Sequence, residues 1–201
     1  MIKTIPLEPG LIYHIYNRGN NKETIFREKA NYIYFFQLWK KHITPIADTF
    51  VYSLLNNHFH AMVRIKNLAY SKNLAGFENL RGLGKAEQHF SNFFNAYAKG
   101  FNNKYNRTGK LFEERFKRKP IINDAYFTQL IYYIHANPQT HGFVDDFRTY
   151  PHTSYDSILS FGKTNLMRDE VLDWFGGREM FEKYHADKFN DLKDIKEFEI
   201  E

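Results

Sequence analysis

Two histidines separated by one residue, His58 and His60, are the side chains whose spacing most directly suggests chemistry. They begin an alternating run, residues 58–66, that is typical of a β-strand, and residues two apart on a strand point to the same face. Phe59, between them, points to the other face. Two neutral imidazole nitrogens that converge in this way suit a divalent metal ion. Because such a tripeptide also arises by chance, a metal site here requires a third ligand.

A tyrosine and an asparagine four residues apart, Tyr133 and Asn137, offer a nucleophile and that third ligand. They lie on a predicted helix that starts after the candidate N-cap Asn123, and side chains four apart share a helix face. Each also has a purely structural interpretation. Asn137 precedes Pro138 and is placed to cap the helix end, and Tyr133 fits an apolar stripe that includes Tyr126.

The neighbouring Tyr132 is the alternative nucleophile. Its side chain projects about 100° around the helix from Tyr133, so we assign the nucleophile to Tyr133. We interpret His135, on the same helix, as a residue at the helix surface or as one that contacts a metal ligand, rather than as a ligand itself. His14, on the first predicted strand, has either a structural role or a place near the metal, and its role stays open.

The composition limits the remaining chemistry. The chain has 201 residues, 43% hydrophobic and 25% charged, which is enough for one compact domain. The absence of cysteine excludes disulfides, thiolate zinc sites and cysteine catalysis. No stretch reaches the roughly 18 apolar residues that a membrane helix needs, and the first residues lack an apolar leader. We therefore expect a cytoplasmic protein.

Positive charge is concentrated in one stretch. The net charge is +5, and residues 97–121 alone carry eight basic and two acidic residues. Five aromatic residues are interleaved with them, which is typical of a surface that binds phosphates and stacks bases; alternatively, the stretch is a solvated face whose rings point inward. The candidate DNA-binding residues are Arg18, in an asparagine-rich turn, and Lys99, Lys104, Arg107, Lys110, Arg115, Lys117, Arg118 and Lys119.

The pattern of elements predicts an α+β fold. Alternating or β-branched runs indicate strands and apolar spacing at i, i+3, i+4 and i+7 indicates helices, with a glycine-rich loop at Gly76, Gly82 and Gly84. The predicted order is strand 11–17, helix 32–43, hairpin strands 49–55 and 58–66, helix 90–101, strand 110–119 and helix 123–136. This order predicts a ferredoxin-like, split β-α-β antiparallel sheet with helices on one face.

Five segments together resemble a known family. They are residues 13–21 (YHIYNRGNN), 51–60 (VYSLLNNHFH), 109–121, 133–138 (YIHANP) and 154–176, in this order along the chain. The set is similar to the HUH single-tyrosine transposases, and most similar to the branch called REP-associated tyrosine transposases. The resemblance covers about residues 10–185. It implies a catalytic domain over residues 1–150 and a C-terminal helical extension with an acidic tail over residues 151–201.

The resemblance implies a role for each candidate residue. His58 and His60 would be the two metal-binding histidines of the HUH motif, and Tyr133 the nucleophile. Asn137 lies where the related insertion-sequence enzymes carry a glutamine as third ligand; it keeps the amide oxygen on a shorter side chain. The expected cofactor is Mg²⁺, with Mn²⁺ as a substitute.

The implied activity is cleavage and rejoining of single-stranded DNA that folds into imperfect hairpins, through a 5′-phosphotyrosine intermediate. A phenol with a pKa of about 10 is a poor nucleophile at neutral pH, so metal assistance is chemically reasonable. Two alternatives are a non-catalytic hairpin-binding protein derived from such a transposase and a ferredoxin-like RNA-binding module. We expect a monomer, with a homodimer as the alternative.

Overall fold

The structure is a computed structural model that describes residues 5–67 and 86–189. The predicted glycine-rich loop at residues 76–84 and the acidic tail beyond residue 189 lie outside the described residues. The strands are β1 (Ile12–Arg18), β2 (Ala47–Leu54), β3 (His58–Ile65) and β4 (Lys117–Pro120), and the helices are α1 (Lys29–His42), α2 (Ala86–Lys104), α3 (Asp124–Thr140), α4 (Tyr155–Leu159), α5 (Arg168–Phe175) and α6 (Arg178–Phe189).

The four strands form one antiparallel sheet in the order β2-β3-β1-β4. The two central strands, β1 and β3, are therefore far apart in sequence, and β2 and β3 form the hairpin predicted around Asn56 and Asn57. The interleaved order is that of the split β-α-β unit. The α+β, ferredoxin-like prediction is confirmed, and so are the C-terminal helices.

The first face of the sheet is covered by α1 and α2. Inward residues of β3, such as Phe59 and Val63, share one core with residues of the two helices. Aromatic rings dominate this core: the Phe35 ring of α1 lies 5.2 Å from Phe59 and 4.9 Å from Phe93 of α2, both in edge-to-face contact. Such contacts add to the hydrophobic gain from burying each ring. The sheet is thereby fixed from this side.

The opposite face is covered by α3 and the C-terminal helices. Met62 of β3 and Phe50 of β2 belong to a second core that includes Leu130 and Ile131 of α3 and Phe181 of α6. The prediction of helices on one face therefore holds for α1 and α2 but not for α3. The strands direct apolar side chains toward both faces of the sheet. Helices must therefore pack on both faces to bury these side chains.

Two predicted elements have different bounds in the structure. The fourth strand covers only Lys117–Pro120, because Arg115 has a positive φ of 59° and interrupts an extended conformation. The third helix continues past Pro138 to Thr140, so Asn137 lies inside the helix and not at its end. Asn123 is the N-cap as predicted, since its side chain accepts a hydrogen bond from the Tyr126 backbone N–H at 2.8 Å.

The interleaved aromatic residues of the basic stretch point inward. The rings of Tyr97, Phe101, Phe112 and Phe116 are all buried in the first core, so they are not available to stack on bases. This observation supports the alternative of inward-pointing rings for that part of the stretch. Among residues 5–67 and 86–189, no helix is long and apolar enough to cross a membrane.

Candidate active site

Pairing of β1 with β3 builds one polar patch on the second face of the sheet. In the antiparallel register, His58 lies opposite Arg18 and His60 lies opposite Tyr16. Directly opposed residues present their side chains on the same face. His14, two residues before Tyr16, shares that face. The two histidines predicted to converge therefore do so beside three β1 residues that the sequence did not single out as one group.

Helix α3 carries Tyr133 onto this patch. The Tyr133 ring lies 5.4 Å from the His60 ring and 6.1 Å from the His14 ring, edge-on to both. The alternative nucleophile points away: the Tyr132 hydroxyl donates a 2.7 Å hydrogen bond to the Lys188 carbonyl. Of the two tyrosines, Tyr133 is thus the one that faces the histidines.

Asn137, one turn after Tyr133, meets the other histidine. Its Oδ1 lies 3.0 Å from His58 Nε2, while His58 Nδ1 lies 2.7 Å from the Asn57 Oδ1. A neutral imidazole has a single N–H. If Nδ1 donates to Asn57, then Nε2 and the Asn137 oxygen are two acceptors that face each other. Either the Asn137 amide turns to donate through Nδ2, or a cation lies between the two atoms.

The second histidine also presents an unused nitrogen. His60 is fully buried, and its Nε2 has no hydrogen-bond partner among the residues that the structure describes. The Nδ2 of Asn137 is likewise buried without a partner there. Buried polar atoms are rarely left in this state. His58, His60 and the Asn137 oxygen thus fit a divalent ion as two nitrogen ligands and one oxygen ligand.

No group of three histidine, aspartate or glutamate side chains that could hold a metal ion occurs within the described ranges. The candidate set differs from such a group because its third member is an amide. Burial lowers the pKa of His58 to about 4 and that of His60 well below its usual value. Both rings are therefore neutral at pH 7, as metal ligands must be.

His135 is not at the helix surface. It is fully buried, and its Nδ1 and Nε2 lie 3.1 Å from His185 Nε2 and 2.8 Å from Ser154 Oγ. His185 Nδ1 donates to the Phe181 carbonyl at 2.8 Å, so its Nε2 must accept from His135. The Ser154 hydroxyl then donates to His135. This network, which we call the His135–His185–Ser154 network, joins α3 to α6 and to the residue before α4.

A small polar cavity opens beside His58. It has a volume of about 290 Å³ and is lined in part by Arg18, Lys22 and His141. Lys22 and His141 were not identified from the sequence. Lys22 follows the asparagine-rich turn that was noted there, but His141 reaches the cavity only because α3 continues beyond Pro138. Two cations and a polar lining make the cavity suitable for a phosphate group.

Five of the candidate DNA-binding residues are held in ion pairs within the protein. These pairs are Arg18 with Glu113, Lys104 with Glu28, Arg107 with Glu23, Lys110 with Glu114 and Arg118 with Glu87. Lys99, Arg115, Lys117 and Lys119 are exposed. Ion pairs within the protein thus occupy part of the basic stretch.

Strand β4 separates its cations between the two faces. Lys117 lies opposite Tyr16 and Lys119 lies opposite His14, so both lysines share the face of the histidines. Arg118 points to the other face, where its side chain is 9% exposed and contacts Glu87. The structure therefore brings Lys117 and Lys119 to the edge of the candidate site, and it does not bring Arg118 there.

Comparison with known proteins supports the fold. No family model and no curated protein matches the chain. Among solved structures, one described as a REP-associated tyrosine transposase bound to a REP hairpin matches with a TM-score of 0.56 at 14% identity, over 81% of this chain and 86% of that one. The resemblance seen in the sequence motifs is confirmed in the fold. Over most of its length, this chain is folded like a REP-associated tyrosine transposase.

Proposed function

We propose that the protein is a metal-dependent, transposase-like nickase and strand transferase that acts on single-stranded hairpin DNA. The observation that carries this proposal is the meeting of Tyr133 on α3 with His58 and His60 on β3. The Tyr133 ring lies edge-on to the buried His60 ring, 5.4 Å between ring centres, and His58 and Asn137 lie beside them. A tyrosine that only packs in a core does not require these three polar neighbours. Metal-dependent phosphodiester cleavage uses a nucleophile and metal ligands, and the four side chains can supply both.

The chemical step balances without an external energy source. The Tyr133 oxygen attacks the phosphorus, a phosphotyrosine bond forms on the 5′ side, and the bond to the 3′ oxygen breaks. The phenol proton leaves to solvent and the departing 3′ oxygen gains a proton. Because one phosphoester replaces another, a 3′-hydroxyl can attack the phosphotyrosine and rejoin the strand.

His58, His60 and Asn137 would hold the divalent ion, Mg²⁺ or Mn²⁺ in its place. When bound, the ion supplies charge stabilisation for the phosphate oxygens as negative charge develops. Strand β3 holds His58 and His60 at a fixed separation of two residues on one face of the sheet. The α3 helix fixes Tyr133 and Asn137 one turn apart. The four side chains therefore keep their relative positions through two rigid elements.

Two sets of cations suggest where the DNA strand lies. Lys117 and Lys119 flank the histidine face at one edge of the sheet. Arg18 and Lys22 line the cavity beside His58. A strand that crosses the site between them places its scissile phosphate near Tyr133. Since all these residues come from one chain, we propose that the protein acts as a monomer.

The buried state of Tyr133 sets a condition on this function. Its side chain is 1% exposed, so DNA binding must open the gap between α3 and the sheet before the phenol reaches a phosphate. Movements of this kind are common in enzymes that close around a substrate. A protein that only binds hairpins would not require such an opening.

The test is a cleavage assay on single-stranded oligonucleotides that span the hairpins flanking the gene, with Mg²⁺ or Mn²⁺. The readout is a protein–DNA adduct that survives denaturation. We expect the adduct with the wild type and its loss in Tyr133→Phe and His58→Ala. The matched control is Tyr132→Phe, which removes the same hydroxyl from the adjacent residue and should keep the adduct.

Tight hairpin binding without an adduct, on substrates that include the native flanks, would contradict the enzymatic proposal and support a binding protein. An adduct that persists in Tyr133→Phe and disappears in Tyr132→Phe would reassign the nucleophile. Light scattering tests the monomer: an obligate dimer would contradict a site assembled within one chain.

A further inference from the structure

A third histidine, His14, contacts His60 on the side of the ring that faces away from the candidate metal site. Its Nε2 lies 2.8 Å from His60 Nδ1, and the two rings are stacked with 5.0 Å between their centres. His14 is 3% exposed and His60 is fully buried. The contact is made on the ring nitrogen that faces away from Nε2, the atom available to a metal. His14 is therefore placed to act on His60 and not to bind the ion itself.

Only one hydrogen can lie between the two nitrogens, and its position decides what His60 can do. If His14 donates through Nε2, the neutral His60 must carry its proton on Nε2. That N–H would be buried without a partner among the described residues, which costs free energy. It would also block the lone pair that a metal needs.

If instead His60 donates through Nδ1, no buried N–H of His60 is left unpaired. The Nε2 lone pair is then free, and His14 must carry its own proton on Nδ1. A hydrogen bond to the far nitrogen of a ligand histidine also fixes the orientation of its ring.

We propose that His14 is a positioning residue that accepts the Nδ1–H of His60 and thereby holds His60 in the tautomer and orientation required for metal binding. The inference rests on the proposed metal site. It assigns to a residue of β1 a role that depends on cross-strand pairing, since His14 and His60 are diagonal neighbours on the two central strands.

The first experiment measures Mn²⁺ affinity from the electron paramagnetic resonance signal of free Mn²⁺, on the full chain without DNA. We expect His14→Phe, which keeps a ring of similar size but cannot accept, to weaken Mn²⁺ binding 10- to 100-fold. His14→Gln, whose side-chain oxygen can accept the same hydrogen bond, should stay within about threefold of wild type. His42→Phe is the control, because it removes a histidine at the end of α1, on the opposite face of the sheet.

Wild-type Mn²⁺ affinity in a folded His14→Phe would overturn the inference. Equal losses in His14→Gln and His14→Phe would also overturn it, because the acceptor would then not matter. Mn²⁺ binding by the wild type that is insensitive to His58→Ala would remove the metal site and this inference with it.

A second measurement does not depend on any variant. Long-range proton–nitrogen NMR correlations on the metal-free wild type report which nitrogen of each histidine is protonated. We expect His60 to be protonated on Nδ1 and His14 to be unprotonated on Nε2; the reverse pattern would overturn the proposal. Neither readout uses DNA cleavage, so a protein that holds Mn²⁺ through this arrangement but forms no adduct would contradict the proposed function alone.

Discussion

The side-chain oxygen of Asn137 and the Nε2 of His58 lie 3.0 Å apart across the boundary between α3 and the sheet. This contact joins the helix that carries Tyr133 to the strand that carries both histidines. It also admits two explanations, a direct hydrogen bond between the ring and the amide or a cation held between two acceptors. The two explanations predict different results for a single change of atom.

Asn137→Asp replaces the amide by a carboxylate of nearly the same shape. If the contact holds a cation, we expect Mn²⁺ binding at least as tight as in the wild type, because a charged oxygen is a stronger ligand for a hard ion. Asn137→Leu, of similar size without an oxygen, should bind at least tenfold more weakly. Isothermal titration with Mn²⁺ measures both. Loss of binding in Asn137→Asp as severe as in Asn137→Leu would favour the direct hydrogen bond between Asn137 and His58 instead.

Charge reversal on β4 tests the proposed edge of the DNA site. We expect Lys117→Glu combined with Lys119→Glu to weaken hairpin binding for all sequences and to reduce the magnitude of the salt slope by about 1.4, at roughly 0.7 per phosphate contact of a single strand. Fluorescence anisotropy across a salt series measures the slope. The matched control, Lys40→Glu with Lys41→Glu, makes the same charge change on α1. Equal effects of the two pairs would indicate only a general attraction to DNA.

Tyr132 should matter to stability and not to the adduct. Tyr132→Phe removes the hydrogen bond from its hydroxyl to the Lys188 carbonyl. We expect the free energy of unfolding to fall by about 0.5–1.5 kcal/mol, with adduct formation retained. Urea unfolding and the cleavage assay check the two halves of this prediction. No change in stability would mean that the hydrogen bond to α6 is replaced by one to water at no cost.

Buried histidines make folding depend on pH in a defined direction. Burial lowers the pKa of His185 to about 4, whereas the ordinary value is 6.5. Between these values the unfolded chain binds the proton and the folded protein does not, so stability falls as pH drops from 6.5 toward 4. His185 alone contributes at most about 1.4 kcal/mol per pH unit.

Urea unfolding of the wild type and of His185→Phe, in the absence of divalent ions, tests this contribution. We expect the variant to be less stable at pH 7.5 and to lose less stability per pH unit below 6.5. An unchanged pH slope would show that His185 is not the group that titrates. The other buried histidines keep part of the slope in both proteins.

Much of the fold was predictable from local patterns. The apolar spacing at Phe35 and Trp39 located α1, and the run around Asn56 and Asn57 located the hairpin. The fourth strand was predicted too long, because its bounds were set by the flanking Thr108-Gly109 and Pro120. What interrupts the strand is the positive φ of Arg115, which no periodicity reveals.

The candidate site was predictable only in its separate parts. The spacing of His58 and His60, and of Tyr133 and Asn137, follows from the geometry of one strand and one helix. The part played by His14 depends on the register of β1 against β3, which brings residues 46 apart in sequence into contact. The basic stretch likewise looked continuous, but alternation along β4 sends Arg118 to the face opposite its two neighbours.

The His135–His185–Ser154 network has a consequence for how such proteins can diverge. Each of the three side chains uses its hydrogen-bonding atoms within the network or on nearby backbone; Ser154 Oγ, for example, accepts from the Tyr52 backbone N–H. A C-terminal segment exchanged from a relative without matching partners would leave a buried ring nitrogen of His135, on α3, without a hydrogen bond. Chimeras that separate α3 from α6 should therefore fold less stably than either parent.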